Sequence, residues 1–207
     1  MDNYFKLRGV DESNYPPYMP RYLLKYLPSR DQKVVDIGCG FGQTLLYLKN
    51  NGYNNILGID INQYSLSRLD QNDIKSYNNN EDLYFDQYSQ SQTSAANLII
   101  MQHVLEHLEK DKIIHTLKNV RNMLTSDGAL FVSVPNAQSH TGCYWAYEDF
   151  THNCLFTAGS LLYVLRAAGF SKVHIVDPDC TAGCSIRRKI FGSYGFSVGN
   201  PCQELAG

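Results

Sequence analysis

Residues 34–42, Val-Val-Asp-Ile-Gly-Cys-Gly-Phe-Gly, restrict the possible folds of this chain more than any other stretch. Two valines, an aspartate and an isoleucine run into three glycines at alternate positions, and Gln43-Thr44-Leu45-Leu46-Tyr47-Leu48 then reads as the first turns of a helix. The pattern is strand, glycine turn, helix. Glycines at such a corner permit positive φ and the close approach of a ligand, and the free amides of the helix start face that ligand. A bare turn between core elements is the alternative. A second apolar stretch, residues 55–61, ends at Asp60-Ile61, and an acid at the end of the second strand of such a unit is placed to accept hydrogen bonds from both hydroxyls of a ribose.

Beyond this unit the chain keeps alternating. Helices are predicted over residues 43–50 and 64–76, a third strand over 82–85, and a central strand over 97–101, whose Asn-Leu-Ile-Ile-Met is apolar enough to be covered on both faces. Ile113, Ile114, Leu117, Val120 and Leu124 share one helical face, and Asp127-Gly128 turns into a strand over 129–134 that Pro135 stops. Thr157 is the expected N-cap of a helix over 158–168 closed by Gly169, and a strand over 172–176 follows. Ahead of all this, Pro16, Pro17 and Pro20 lead into a short helix that ends before Pro28. The predicted fold is α/β, a mostly parallel central sheet with helices on both faces, with ligands beyond the carboxyl ends of the strands.

At 207 residues, 43% of them hydrophobic and 18% charged, the chain suits one globular domain, with an entry segment over 1–30, a core over 31–176 and a less regular stretch over 177–207. Residues 189–198 are the candidate for a last, antiparallel strand. No apolar run approaches the roughly 18 residues of a membrane span, and the N-terminus lacks the pattern of a secretory signal, so a cytoplasmic protein is expected. A net charge of −2 argues against nucleic acid as a partner, and Arg187-Arg188-Lys189 reads as a solvated patch. None of the six cysteines forms a CxxC pair, which favours reduced thiols over a disulfide framework or a zinc site.

The run VVDIGCGFG followed by GIDIN resembles the first two motifs of the class I S-adenosylmethionine-dependent methyltransferases. Its GxGxG spacing differs from the GxGxxG of nicotinamide-binding folds. The resemblance implies a three-layer Rossmann-like methyltransferase fold and S-adenosylmethionine as cofactor. It also implies roles for particular residues. Backbone around Gly38, Cys39, Gly40 and Gly42 would approach the methionine end, with Asp36 facing the amino group. Asp60 and Ile61 would hold the ribose, Asp86 the adenine amine, and Gln102 would lie near the sulfonium. For Asp86, a loop carboxylate with no role is the alternative, and the leading segment either folds over the cofactor or simply covers the sheet.

Two further stretches carry the candidate chemistry. Gln102-His103-Val104-Leu105-Glu106-His107-Leu108 resembles the H-V-L-E-H segment of relatives that methylate small molecules such as quinone precursors and sugars. One carboxylate and two imidazoles in His103, Glu106 and His107 suit a divalent transition ion, but His107 is more simply a histidine orienting the segment, and no metal is assigned. The aromatic-rich loop after the fifth strand holds Asp149-Phe150-Thr151-His152 and, further on, Phe156-Thr157 before a helix ending in Ala-Ala-Gly-Phe. This pattern resembles methyltransferases of sugar and polysaccharide biosynthesis and marks the loop as the acceptor site. An imidazole with an ordinary pKa of roughly 6.5 suits a general base, so His152 is the first catalytic candidate, with His107 and Glu148 as reserves. A buried histidine bracing the loop is the alternative for His152. The expected activity is methyl transfer to a small-molecule hydroxyl, most readily that of a sugar or sugar nucleotide. The alternatives are a quinone precursor or other metabolite as acceptor, an NAD-dependent oxidoreductase, and an inactive S-adenosylmethionine-binding scaffold.

Overall fold

The computed structural model describes residues 4–139, 142–176 and 196–199. In chain order the elements are α1 (Tyr4–Leu7), α2 (Arg21–Leu24), β1 (Val34–Ile37), α3 (Gln43–Asn50), β2 (Ile56–Asp60), α4 (Gln63–Gln71), β3 (Lys75–Asn78) and α5 (Tyr88–Ser91). There follow β4 (Ala96–Gln102), α6 (Ile113–Met123), β5 (Leu124–Val134), α7 (Gly142–Glu148), α8 (Ala158–Ala167), β6 (His174–Val176) and β7 (Phe196–Gly199). The seven strands form one sheet in the order β3-β2-β1-β4-β5-β7-β6. The strands from β3 to β5 run parallel, and β7 is antiparallel to both β5 and β6. This is the Rossmann-like methyltransferase arrangement expected from the sequence.

The layering follows from the two-residue period of a strand. Val34 of β1, Leu98 and Ile100 of β4 and Phe131 of β5 point to one face, where Leu23, Leu45, Leu48, Leu66 and Leu69 of α2, α3 and α4 meet them. Val35, Ile37, Ile99, Met101, Val132 and Val134 point to the other, against Leu117 and Val120 of α6 and Leu161 and Leu165 of α8. β1 and β4, paired on both edges, are buried along nearly their whole length, which is why their sequences read as continuous apolar runs.

Two expectations are corrected. The helix predicted over 64–76 stops at Gln71, because Asp73 takes a left-handed φ of 49° and the chain reverses into β3. The third strand therefore lies at Lys75–Asn78, not at 82–85, where the chain turns and Phe85 takes φ 62°. As the edge of the sheet, β3 is paired on one side only and is half-exposed, so Lys-Ser-Tyr-Asn needs no apolar alternation. Thr157 caps α8 in a reciprocal box with Ser160, as expected. The antiparallel strand expected within 189–198 is β7, displaced to Phe196–Gly199. Arg187-Arg188-Lys189, Cys180, Cys184 and Cys202 lie outside the described residues, as does the side chain of Trp145.

Candidate active site

The parallel strands end at a common cavity of about 1320 Å³. The turn after β1 supplies Gly38, Cys39, Gly40 and Phe41, and the end of β2 supplies Asp60, Ile61 and Asn62. Asn79 enters after β3, and Gln102 and His103 at the end of β4. The loop after α7 brings Asp149, Thr151 and His152, and the N-terminal segment closes over with Tyr4, Phe5 and Arg8.

At the first end, Gly38, Gly40 and Gly42 all have positive φ, and two of the three are also pinned by packing. A Cβ on Gly38 would stand 2.3 Å from Val104 Cγ2, and one on Gly42 only 2.1 Å from Leu69 Cδ2. The turn's amides are already engaged: Gly38 and Cys39 donate to Ile59 O, Gly42 to Cys39 O, and Gly40 to Asp60 Oδ2 at 2.8 Å. The turn instead offers a surface without side chains, while Asp60 is fixed by Gly40 and by the Asn62 amide at 2.8 Å and keeps lone pairs for further donors.

The sequence-derived residues do not all reach the cavity. Gly38, Cys39, Gly40, Asp60, Ile61, Gln102, His107, Glu148 and His152 line it. Gly42 does not; its place is the start of α3 against α4. Asp36 is buried beneath the turn, where desolvation and the neighbouring Asp60 push its carboxyl up to about 8. Asp86 lies outside the lining and accepts from Asn119 at 3.0 Å and pairs with His115 at 2.5 Å, which holds its carboxyl below the ordinary range. Once β3 is placed at 75–78, the position just beyond that strand falls to Asn79, which is buried and lines the cavity.

At the second end, His103 closes β4 with φ 56°, a left-handed conformation uncommon for a residue with a side chain. Its amide donates to Ser133 O at 2.9 Å and its Nδ1 meets Glu106 Oε1 at 3.2 Å. Burial lowers its pKa, but the bond and charge of Glu106 prevail and raise it. Glu106 is completely buried. His107 Nδ1 meets Thr151 Oγ1 at 2.8 Å, and its ring lies 4.7 Å from that of His152. Burial shifts the His107 pKa down, against the opposing charge of Glu106.

Several contributors carried no local signal in the sequence. Tyr4 donates to Asp149 through its hydroxyl, and Arg8 donates to Asp149 at 2.6 Å and lies 3.6 Å from Glu148. Phe5 packs on Phe41 at 4.5 Å and Tyr15 on Phe41 at 5.4 Å. The N-terminal segment thus bridges the glycine turn and the loop after α7, two regions more than 100 positions apart. The segment had been expected either to fold over the cofactor or simply to cover the sheet.

A family model described as a methyltransferase domain matches residues 12–175. The chain belongs to that family. Its cofactor is S-adenosylmethionine. The methyltransferase resembles a SAM-dependent methyltransferase from Archaeoglobus fulgidus at 19% identity and TM-score 0.69, over 94% of this chain and 96% of that one. A second, from Mesorhizobium loti, shares 17% identity at TM-score 0.64, over 86% and 94% of the two chains. A structure described as a complex between the Haloferax volcanii Trm112 methyltransferase activator and a methyltransferase gives TM-score 0.71 at 15% identity, over 100% and 99%. At these identities the likeness concerns the fold. No curated protein matches the chain.

The methyltransferase's own residues fit the cofactor. A Cβ on Gly40 would project to 3.7 Å from Phe5 Cζ, into the gap between the turn and the segment above it, and glycine leaves that gap open. Asp60, held from behind by two backbone amides, presents a fixed acceptor pair at the rim.

Proposed function

We propose that this methyltransferase, acting as one domain in the cytoplasm, methylates a hydroxyl of a small molecule, a sugar or sugar nucleotide first among them. The observation that carries the reading is the continuity of one cavity from the Gly38–Gly40 turn and Asp60 to His107, Glu148 and His152. The sugar preference is supported by the Asp149-Phe150-Thr151-His152 stretch and its resemblance to enzymes of polysaccharide biosynthesis. Cys39 and Cys154, the cysteines whose side chains are described, are free thiols, in keeping with a reducing compartment. No helix among the described residues is long and apolar enough to cross a membrane.

S-adenosylmethionine, when bound, supplies a methyl carbon made electrophilic by its sulfonium. The chain then has to position the acceptor and take up one proton. Asp60 would accept from the ribose hydroxyls, Asn79 and Leu83 would flank the base, and Gln102, which donates to Thr44 Oγ1 at 3.2 Å, would be held still beside the reacting centre. The Phe5, Tyr15 and Phe41 cluster would keep water from the cofactor end. His152 would receive the acceptor's proton, with His107 beside it and Glu148 facing Arg8 at the cavity's edge.

Incubation of purified protein with labelled S-adenosylmethionine and a panel of sugar nucleotides and small phenols tests this. Transfer to the sugar panel is expected, with turnover reduced by about 10²-fold or more in His152→Ala while cofactor binding persists. Transfer to phenols alone would replace the sugar reading with a quinone-type acceptor. Binding of S-adenosylmethionine with no transfer would make the protein a scaffold.

A further inference from the structure

Three side chains from two distant segments converge behind the acceptor loop: Glu106 and His107 follow β4, and His152 follows α7. One potential ligand atom from each, a carboxylate oxygen and two imidazole nitrogens, lies within 4.8 Å of the other two. The two segments are joined by their backbones. Asn153 N donates to Glu106 O at 2.7 Å, Cys154 N to the same oxygen at 3.3 Å, and Asn153 Nδ2 to His107 O at 2.7 Å. The convergence is therefore built by the chain and does not depend on the side chains' own attraction.

Two details of the hydrogen bonding point to an occupant. Glu106 is completely buried, and although Oε1 meets His103 Nδ1, Oε2 has no hydrogen-bond partner. A buried carboxylate oxygen without a partner is costly, and a cation resolves the cost directly. The second detail concerns the His107 tautomer. Thr151 Oγ1 donates to Asp149 Oδ1 at 2.7 Å, so toward His107 it acts as an acceptor and Nδ1 carries the proton. The lone pair of His107 is thereby placed on Nε2. Fixing an imidazole through its far nitrogen by a hydroxyl backed by a carboxylate is how the outer shell of a metal site orients a ligand.

The geometry points to Glu106, His107 and His152 as the ligands of a divalent first-row transition ion, with the ion's open positions toward the acceptor end of the cavity, which His107 and His152 line. Two imidazoles and one carboxylate suit Zn²⁺, Co²⁺ or Mn²⁺ better than the all-oxygen preference of Mg²⁺ or Ca²⁺. Three protein ligands leave room for an acceptor hydroxyl, whose proton the ion makes easier to remove. His152 is then a ligand, and the base role proposed above passes to solvent or to a neighbouring group. His103 braces Glu106 from outside, and Thr151 and Asp149 are positioning residues. This use of the ion rests on the methyltransferase reading, whereas ion binding does not.

The test begins with tag-free protein stripped by a chelator and dialysed against Zn²⁺ or Co²⁺. One-to-one uptake is expected, with visible ligand-field bands for Co²⁺ that show mixed nitrogen and oxygen coordination. Uptake should be lost in His107→Ala and in His152→Ala, weakened about 10–100-fold in Thr151→Val, and retained in Cys154→Ser, whose thiol is not part of the cluster. Circular dichroism and S-adenosylmethionine binding establish that each variant is folded. Should Glu106→Gln fail that check, the two histidine variants decide the matter. No uptake, or uptake unchanged in His152→Ala, would overturn the site. Uptake as expected in a protein that methylates no acceptor would uphold the site and fault the functional reading. Transfer that persists undiminished after stripping would overturn the ion's part in the chemistry.

Discussion

Gly42 shows how closely single residues are constrained around the turn. It holds φ 74° at the start of α3, and the position a Cβ would take is 2.1 Å from Leu69 Cδ2. Gly42→Ala therefore combines a left-handed backbone with overpacking against α4. A loss of about 2–3 kcal/mol in chemical denaturation is expected, although the residue does not line the cavity. Asp36 offers a test by pH. Burial and Asp60 raise its carboxyl from the ordinary 3.8 to about 8, so between these values the folded chain binds more protons than the unfolded chain. Its contribution to stability is present below the unfolded pKa and is lost as pH rises through the folded one. Asp36→Asn, which does not titrate, should gain on the native protein steadily from pH 4 to pH 8 in urea unfolding; parallel curves would refute the assignment.

Among the elements, α1 matters beyond its four residues because of what it ties together. Its Tyr4 and the following Arg8 both donate to Asp149, and Phe5 lies on Phe41. Burial alone would raise the Asp149 carboxyl, but the bonds from Tyr4 and Thr151 and the charge of His107 prevail and hold it well below the usual carboxylate range. The sign is thus opposite to that of Asp36. The stabilisation is present above the ordinary aspartate range and is lost as pH falls through the depressed value. Asp149→Asn should lower stability by about 1 kcal/mol at neutral pH and expose the N-terminal segment to limited proteolysis, with the difference from native protein vanishing only in strongly acidic buffer. In α8, Thr157→Ala removes a reciprocal cap and should cost about 1 kcal/mol of stability without changing cofactor affinity.

For the whole molecule, the sheet brings Gly38, Cys39, Gly40, Asp60, Ile61 and Gln102 to one side, because β1, β2 and β4 run parallel and end there. Ligand binding to the folded state alone should register globally. S-adenosylmethionine at 100 times its dissociation constant should add about 2.7 kcal/mol to unfolding, NAD should add nothing, and Asp60→Ala should remove most of the effect. Thermal melts with each nucleotide measure this. The central strands were legible because β1, β4 and the stretch 130–134 of β5 are covered on both faces, and such burial favours apolar runs. β3 was not, because an edge strand exposed to water does not need an apolar pattern, and its misplacement moved the position just beyond that strand from Asn79, which lines the cavity, to Asp86, which does not.

What the sequence determined by itself is local: the strand, glycine turn and helix at 34–50, Asp60 closing the next strand, and the cap at Thr157. Each depends on backbone preferences and on groups within a few residues of one another, so the sequence records them directly. The tertiary structure alone decided that Asp86 faces His115, that Tyr4 and Arg8 hold Asp149, and that His152 joins Glu106 and His107. These pairings span 29 to 145 positions and come from the crossing of strands and the clamping of two loops. No local preference encodes them; they follow from which elements the burial of the sheet's two faces brings side by side.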